Sequence, residues 1–165
     1  MREILPFDFD FNPFYSFGKE WALIVCEENK EDNAMTISWG NIGILWSKPI
    51  LSVFVRNTRY TKHMLDHSDK FSCCFFDKKY QNELTYCGTV SRKDEDKITK
   101  CNFTRERYQN VLYIKEAKIT FILKKIYQVD LPISDSTIQD IKKHYKENEC
   151  HTQYICEIEK ILIEN

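Results

Sequence analysis

The sequence predicts a mainly β fold: an antiparallel sheet closed into a small barrel, with peripheral helices. Strand-favouring runs occur near both ends of the chain without regular alternation with helices. The 165 residues are 42% hydrophobic and 14% aromatic, which is enough for a buried core and too much for a disordered chain. Only four glycines are present, and their spacing matches neither a Walker A loop nor a glycine-rich dinucleotide-binding turn.

The first half of the chain predicts an arm, four strands and a helix. Residues 1–18 are rich in phenylalanine and proline and are expected to form an irregular arm lying on an apolar surface or a partner subunit. Four strand-favouring runs follow, at 21–26, 34–39, 48–56 and 70–76. The third run is apolar on both faces, which indicates a central strand. Residues 58–67 have a helical period, and Thr58 is expected to cap that helix.

The second half predicts short helices between long strands. A helix over 80–86 is expected to stop at Gly88. Residues 91–100 are charged and predict a loop that passes into a helical turn. Two long strands are expected at 117–127 and 151–163.

A further helix is expected between these two long strands. Ser136 and Gln139 form a capping box that opens an amphipathic helix through Tyr145. No repeat, low-complexity segment or interdomain linker interrupts the chain, so residues 1–165 are expected to form a single domain.

The charge balance argues against nucleic acid and membranes as partners. The chain has 24 basic and 25 acidic residues, so no overall positive field would gather a polyanion. No apolar run approaches the roughly 20 residues of a membrane helix. Residues 1–10 lack the basic and apolar regions of a signal peptide, so a cytoplasmic location is expected.

The seven cysteines predict neither a disulfide framework nor a zinc ribbon, because their number is odd and no Cys-x-x-Cys pair is present. Cys150, His151 and Cys156, with His144 upstream, match no metal-ligand spacing. Reduced, partly buried thiols are therefore expected, and no metal is predicted.

The histidines predict no catalytic group. His63 and His67 lie one turn apart on the predicted helix and are interpreted as two exposed polar residues. The spacing of the four histidines relative to serines and carboxylates predicts no catalytic triad, and no pair of catalytic carboxylates is predicted either.

The junction between the third strand and the first predicted helix favours an anion. A helix start offers unpaired N–H groups and the positive end of its dipole, and this junction adds the guanidinium groups of Arg56 and Arg59. A phosphate group suits such a site. In the alternative, the two arginines are solvated surface cations and Thr58 is only a cap.

A second stretch, residues 33–43, could line the edge of a flat heterocycle. Thr36 and Ser38 are small and polar, and Trp39 would supply an apolar wall. The alternative is a strand packed in the core.

Four stretches, taken in order, carry a recognisable pattern. They are Asn33-Ala-Met-Thr-Ile-Ser-Trp-Gly-x-Ile-Gly43, Lys48-Pro49, Phe54-Val-Arg-x-x-Arg-Tyr-Thr61, and Tyr86-Cys-Gly-Thr-x-Ser91 with Asp94-x-Asp-Lys97. This ordered set resembles the flavin reductase-like family, especially its flavoredoxin branch. The resemblance extends over residues 13–163.

The resemblance implies a split β-barrel that binds FMN noncovalently as a homodimer, with NADH or NADPH as the electron donor. The electron acceptor would be free flavin, a partner protein or another molecule. The implied cofactor-binding residues are Asn33, Met35, Thr36, Ile37, Ser38, Trp39, Val55, Arg56, Asn57, Arg59, Tyr60, Thr61, Ser91 and Lys97. No catalytic residue is expected, because a flavin carries the hydride chemistry itself.

Two alternatives to an NAD(P)H-dependent reductase stay open at this point. One is a flavoredoxin-like electron-transfer protein that a partner protein reduces. The other is a split barrel that binds a different ligand.

Overall fold

The structure, a computed structural model, describes residues 1–134 and 137–164. The described strands are β1 (Arg2–Ile4), β2 (Ala22–Glu28), β3 (Glu31–Ile37), β4 (Gly40–Leu45), β5 (Lys48–Arg56), β6 (Lys70–Phe75), β7 (Arg105–Tyr108), β8 (Val111–Ile114), β9 (Ile119–Leu131) and β10 (His151–Ile163). The described α-helices are α1 (Pro13–Tyr15), α2 (Tyr60–His67), α3 (Gln81–Thr89), α4 (Lys97–Lys100) and α5 (Gln139–Lys142). Short 3₁₀ turns at Pro6–Asp8 and Lys78–Tyr80 and a π-helical turn at Ser16–Glu20 complete the set.

The main sheet is antiparallel and follows the order β3-β2-β6-β9-β10-β5-β4. Strand β1 adds to β10 beyond the end of β5. In the described chain the two outermost strands, β3 and β4, do not pair with each other. The mainly β prediction is confirmed, and so is the split β-barrel that the resemblance implies. The sheet stays open between β3 and β4, whereas the element order alone predicted a closed barrel.

Strand β10 organises the sheet. It pairs with β9 along its whole length, while its first half also pairs with β5. The prediction that the 48–56 strand is central is confirmed, since β5 has a neighbour on each side.

The pleat of β6 separates two parts of the core. Phe71, Cys73 and Phe75 point into the barrel, as predicted from their spacing. Cys74 and Phe76 point the other way, into a second cluster beneath the β7–β8 hairpin and helix α3. All seven cysteines of the chain are free thiols.

The aromatic arm covers one end of the barrel. The Phe11 ring packs edge-on against Phe121 at 5.3 Å, and Phe17 packs against Phe75 at 5.1 Å. The arm is less irregular than predicted, because it contains a strand and three helical turns. Phe7 and Phe14 remain exposed in this chain, so their contact with a partner subunit stays a prediction.

Two predicted helix ends are wrong. Helix α2 begins after Arg59, and no side chain caps it, so Thr58 lies in the preceding turn and is not the cap. Gly88 lies inside α3 and has a negative φ, so it is not a left-handed stop. A Cβ at Gly88 would lie 3.3 Å from the Thr36 Cβ, and the glycine thus allows α3 to approach β3 closely.

Other differences concern elements with weak apolar periodicity. Strand β4 and the β7–β8 hairpin were not predicted, because the former contains two glycines and β7 is largely charged. The helix expected through Tyr145 is only the four-residue α5, and Ser136 of its capping box lies outside the described residues. Within the described ranges, no helix has the length and apolar character needed to cross a bilayer.

Gly40 is required for packing at the start of β4. A Cβ there would lie 2.4 Å from two ring atoms of the buried Phe17, whereas no described atom lies within 4 Å of the corresponding position at Gly43. We expect Gly40→Ala to lower the free energy of unfolding by about 1–3 kcal/mol through overpacking. Gly43→Ala on the same strand is the matched control and should change it by less than about 0.5 kcal/mol.

Urea denaturation of both variants measures this difference. Phe17→Leu in the Gly40→Ala background should recover part of the loss, because it removes the ring that the new Cβ meets. Equal stability of the two glycine variants would contradict the proposed close approach.

Candidate functional site

Two adjoining clefts lie where β3, β5, α2 and α3 meet. The first has a volume of about 180 Å³ and is lined by Met35, Thr36, Ile37, Ser38, Trp39, Phe54, Arg56, Arg59 and His151. The second has a volume of about 110 Å³ and is lined by Asn33, Met35, Thr58, Arg59, Tyr60, Thr61, Cys87, Thr89, Val90, Ser91, Arg92 and Lys97. Because Met35 and Arg59 line both, the two clefts form one groove, called here the β3–α2 groove.

The structure brings most of the predicted site residues to this groove, and two lie elsewhere. Val55 is fully buried in the core, because the pleat of β5 turns it away from Phe54 and Arg56. The Asn57 amide instead joins a neighbouring loop: its Nδ2 donates to the Asn148 carbonyl oxygen at 2.9 Å, and its Oδ1 accepts from the Cys150 N–H at 3.3 Å.

Phe54 and His151 line the groove but were not among the predicted residues. Phe54 was identifiable in principle, since it shares a strand face with Arg56. His151 sits opposite Arg56 in the β5–β10 register, and that register is set by residues far apart in the chain.

The cationic end of the groove centres on Arg59. No described group accepts a hydrogen bond from its guanidinium, and no described carboxylate pairs with it. It precedes the first turn of α2, where the N–H groups of Tyr60 and Thr61 have no acceptor within the helix. Arg59 and the start of α2 therefore offer several donors to one anion.

Arg56 differs from Arg59, because a loop already holds it. Its Nη1 donates to Glu149 Oε2 at 2.9 Å, and its Nη2 donates to the His144 carbonyl oxygen at 3.2 Å. The Arg56 guanidinium also lies 5.7 Å from the Tyr145 ring centre. Arg56 thus forms the rim of the groove and carries a partly compensated charge.

Asn33 is a buried amide with spare hydrogen-bonding capacity. Its Nδ2 donates to Thr61 Oγ1 at 2.8 Å, while its Oδ1 is buried without a described partner. If the amide is turned over, Thr61 can donate to Oδ1 and the Nδ2 group lacks a described acceptor instead. In either orientation, one buried polar atom of Asn33 has no described hydrogen-bond partner.

A buried ammonium group lies below the same end. The Lys97 side chain is buried, and its Nζ donates to the Cys87 carbonyl oxygen at 3.1 Å. Burial lowers the pKa of Lys97, and the nearby charge of Arg59 lowers it further. An anion bound between the two cations would oppose both effects.

Helix α4 holds Lys97 in place. Asp96 caps this helix by accepting from the Thr99 N–H at 3.2 Å, and it also accepts from Arg105 Nη2 at 2.8 Å. Arg105 in turn binds Asp32, the residue before Asn33 on β3. This network couples the position of Lys97 to the position of β3.

The other end of the groove is walled by an aromatic ring, with polar and cationic side chains around it. Trp39 is partly exposed, and its ring centre lies 4.8 Å from that of His151. Desolvation lowers the pKa of His151 to about 4, with a further contribution from the positive charge of Arg56. The imidazole is therefore neutral at neutral pH, and its Nδ1 lies 2.9 Å from the Tyr145 hydroxyl.

The groove thus combines two chemistries. The end at the start of α2 presents Arg59, Lys97 and N–H groups without an acceptor in the helix, while the other end presents the Trp39 ring with Arg56 and His151 beside it. This arrangement suits an elongated ligand with an anionic terminus and a flat ring system.

Comparisons with known proteins agree with this architecture. No protein-family model matches the chain, and no curated protein matches it. Among solved structures, flavoredoxin from Methanosarcina acetivorans aligns with a TM-score of 0.72 and 19% identity, over 88% of this chain and 69% of its own. Flavoredoxin of Desulfovibrio vulgaris (Miyazaki F) aligns with a TM-score of 0.69 and 22% identity, over the same shares of the two chains.

An FMN-binding protein from Thermus thermophilus aligns with a TM-score of 0.68 and 16% identity, over 88% of this chain and 71% of its own. A protein described as a putative flavin reductase with a split barrel domain, from Shewanella frigidimarina, aligns with a TM-score of 0.69. The chain therefore has the split-barrel fold of flavoredoxins, FMN-binding proteins and flavin reductases.

Proposed function

We propose that this protein is a flavoprotein that binds FMN in the β3–α2 groove. The observation that carries the proposal is the position of Arg59 at a helix start, where no described residue pairs with it and the Trp39 ring lines the same groove. A phosphate monoester at one end and an isoalloxazine ring at the other match this pair of environments. The FMN-binding proteins among the similar structures support the same ligand.

The phosphate would lie at the cationic end. Arg59 and the first N–H groups of α2 would hold it, together with the hydroxyls of Thr61 and Ser91. Lys97 and Asn33 would contribute charge and a hydrogen bond from below. Because Arg59 and Lys97 have no carboxylate partners among the described residues, an anion carrying about −1.5 to −2 charges would compensate both.

The ring system would lie along Met35–Trp39. The backbone of this segment leaves the sheet after Ile37, so its N–H and C=O groups are available to the ring edge. Thr36 is less available, since its hydroxyl donates to the Leu84 carbonyl oxygen at 2.5 Å. Val55 and Asn57 take no part through their side chains, which are engaged in the core and in the 148–150 loop.

Bound FMN would supply reversible electron and hydride transfer, which side chains cannot. The residues of this chain would bind the cofactor, orient it and restrict water around it. The neutral imidazole of His151 would offer a polar but uncharged contact beside Trp39.

We further propose that NADH or NADPH reduces the bound flavin and that electrons pass to free flavin or another acceptor. The partial exposure of Trp39 supports this, because a flavin lying beside an exposed residue keeps a solvent-facing side that a second planar group can approach. The flavin reductases among the similar structures support it as well.

A second candidate function is a flavoredoxin-like electron-transfer protein that a partner protein reduces. It is favoured by the contact between His144 and Trp39, whose ring centres lie 5.7 Å apart. This contact places the loop between α5 and β10 over the slot and narrows the approach for a nicotinamide. Electron transfer to a protein tolerates such a cover better than hydride transfer does, since only the latter needs direct contact between the two rings.

We also propose that the protein forms a homodimer. Trp46 and Tyr127 are 59% and 52% exposed, their rings meet edge to face at 6.0 Å, and the exposed Ile44 lies nearby on β4. A continuous apolar surface of this kind marks an association site. Light scattering should give twice the monomer mass, and Trp46→Asp should shift the protein toward the monomer.

The matched control for that surface is Ile138→Asp, which changes an equally exposed apolar residue outside the Trp46–Tyr127 surface. It should leave the mass unchanged. A monomeric wild-type protein at micromolar concentration would contradict the dimer.

Arg59→Ala should weaken FMN binding. Loss of one charge-assisted contact to phosphate costs about 1.5–3 kcal/mol, which is roughly a tenfold to hundredfold rise in Kd. Fluorescence titration of the flavin-free protein with FMN measures this change. Arg2→Ala is the matched control, since it removes an exposed guanidinium that lines neither cleft.

Riboflavin, which lacks the phosphate, provides a second control. Its affinity should be the same for the wild type and for Arg59→Ala. If FMN binds equally well to both proteins, Arg59 does not hold the phosphate. If no flavin is retained by the wild type on gel filtration, the barrel binds a different ligand.

Anaerobic addition of NADH or NADPH should bleach the flavin absorbance of the FMN-loaded protein. Direct transfer between stacked rings needs no other protein, so bleaching should occur in the purified two-component mixture. Absorbance spectra recorded between about 300 and 550 nm measure the loss of the flavin bands. Bleaching by dithionite alone, with no response to either nucleotide, would contradict the reductase and favour the electron carrier.

A further inference from the structure

Helix α2 carries two histidines on its exposed face, and a carboxylate from strand β2 meets both. His63 Nδ1 lies 3.3 Å from Glu28 Oε2, and His67 Nδ1 lies 3.4 Å from Glu28 Oε1. One potential ligand atom from each residue lies within 4.8 Å of those of the other two. Their spacing on the helix predicted two exposed polar residues, but the structure also places a carboxylate against both imidazoles.

The separations suit a common metal ion. Donor atoms around a tetrahedral Zn²⁺ with bonds of about 2.0–2.1 Å are roughly 3.3 Å apart. The two distances from Glu28 already have that value before any ion is placed.

The surroundings also favour a cation. His67 is the last residue of α2, where unpaired carbonyl groups give the helix end a partial negative charge. The Glu28 side chain is only 16% exposed, whereas both histidines are more than half exposed. The carboxylate is thus held by the fold, while the open side leaves room for water to complete the coordination.

The rings are partly oriented as well. His67 Nδ1 also lies 2.8 Å from the His63 carbonyl oxygen, to which its N–H donates. An ion bound to Nε2 would leave this hydrogen bond in place, whereas an ion bound to Nδ1 would replace its proton. The Tyr60 ring stacks almost parallel to the His63 ring at 6.2 Å. Contacts of this kind, which restrict ligand side chains without binding the metal, are common around metal sites.

We propose that Glu28, His63 and His67 form a binding site for a divalent transition-metal ion of the Zn²⁺ type. Two neutral imidazoles and one carboxylate are ligands that Zn²⁺ accepts, whereas Mg²⁺ and Ca²⁺ prefer a shell of oxygen atoms. The ion joins α2 to the end of β2, two elements that the hydrogen bond from Ser68 Oγ to the Glu27 carbonyl oxygen also connects. Its site shares no residue with the β3–α2 groove.

Zinc titration of the full-length wild-type protein tests the proposal. After treatment with a chelator, the protein competes with a chromophoric zinc indicator for added ZnCl₂. One equivalent should bind, and His63→Ala or His67→Ala should each weaken binding by about tenfold or more. Both positions are exposed and helical, so alanine is not expected to impair folding.

Matched controls separate this site from the other histidines and thiols. His144→Ala removes a histidine outside the cluster, and Cys150→Ser removes one of the two cysteines that are not fully buried. Neither change should alter the zinc affinity. MgCl₂ should not displace the bound zinc.

A melting experiment gives a second readout. Ligand that binds only the folded state raises the melting temperature, so excess Zn²⁺ should raise it in the wild type and not in His63→Ala. No zinc binding by the wild type, unchanged binding in both histidine variants, or loss of binding in Cys150→Ser would each overturn the proposal. None of these outcomes depends on whether FMN binds.

Discussion

The antiparallel pairing of β10 with β5 is the constraint on which the candidate site depends. This register sets His151 opposite Arg56 and places the loop before β10 against the end of β5. A shift of one residue would turn every β10 side chain to the opposite face of the sheet. The buried Tyr154 and Cys156 would then leave the core, so the same packing that stabilises the barrel also fixes one wall of the groove.

The electrostatic character of the groove depends on which cations are left uncompensated. Arg105 pairs with Asp32 on β3 and with Asp96 at the start of α4. Arg107 pairs with Glu27 on β2. Arg59 has no such described partner, although it lies within reach of two titrating groups, Lys97 and His151, whose pKa values its charge lowers. The like charges of Arg59 and Lys97 raise the free energy of the unliganded protein, and binding of an anion relieves that cost.

Helix α2 connects the two proposed sites. Its first turn offers N–H donors to the groove, and its exposed face carries the two histidines that meet Glu28, with His67 as the last helical residue. The two ends have opposite partial charges, so an anion at the first and a cation at the second are both favoured by the same helix. Its inner face is fixed by Met64 and Leu65, which are buried against the barrel.

The sequence by itself determined the elements with strong local signals. The period of α2, the two-sided apolar pattern of β5 and the alternation in β6 each follow from neighbouring residues, and the ordered motifs indicated the split barrel and most of the groove. Only the tertiary structure decided that Gly88 lets helix α3 pack closely against Thr36 of β3, and that Glu28 lies beside the two histidines of α2. The physical reason is that these contacts join residues far apart in the chain, and their distances follow from strand register and packing rather than from local conformational preference.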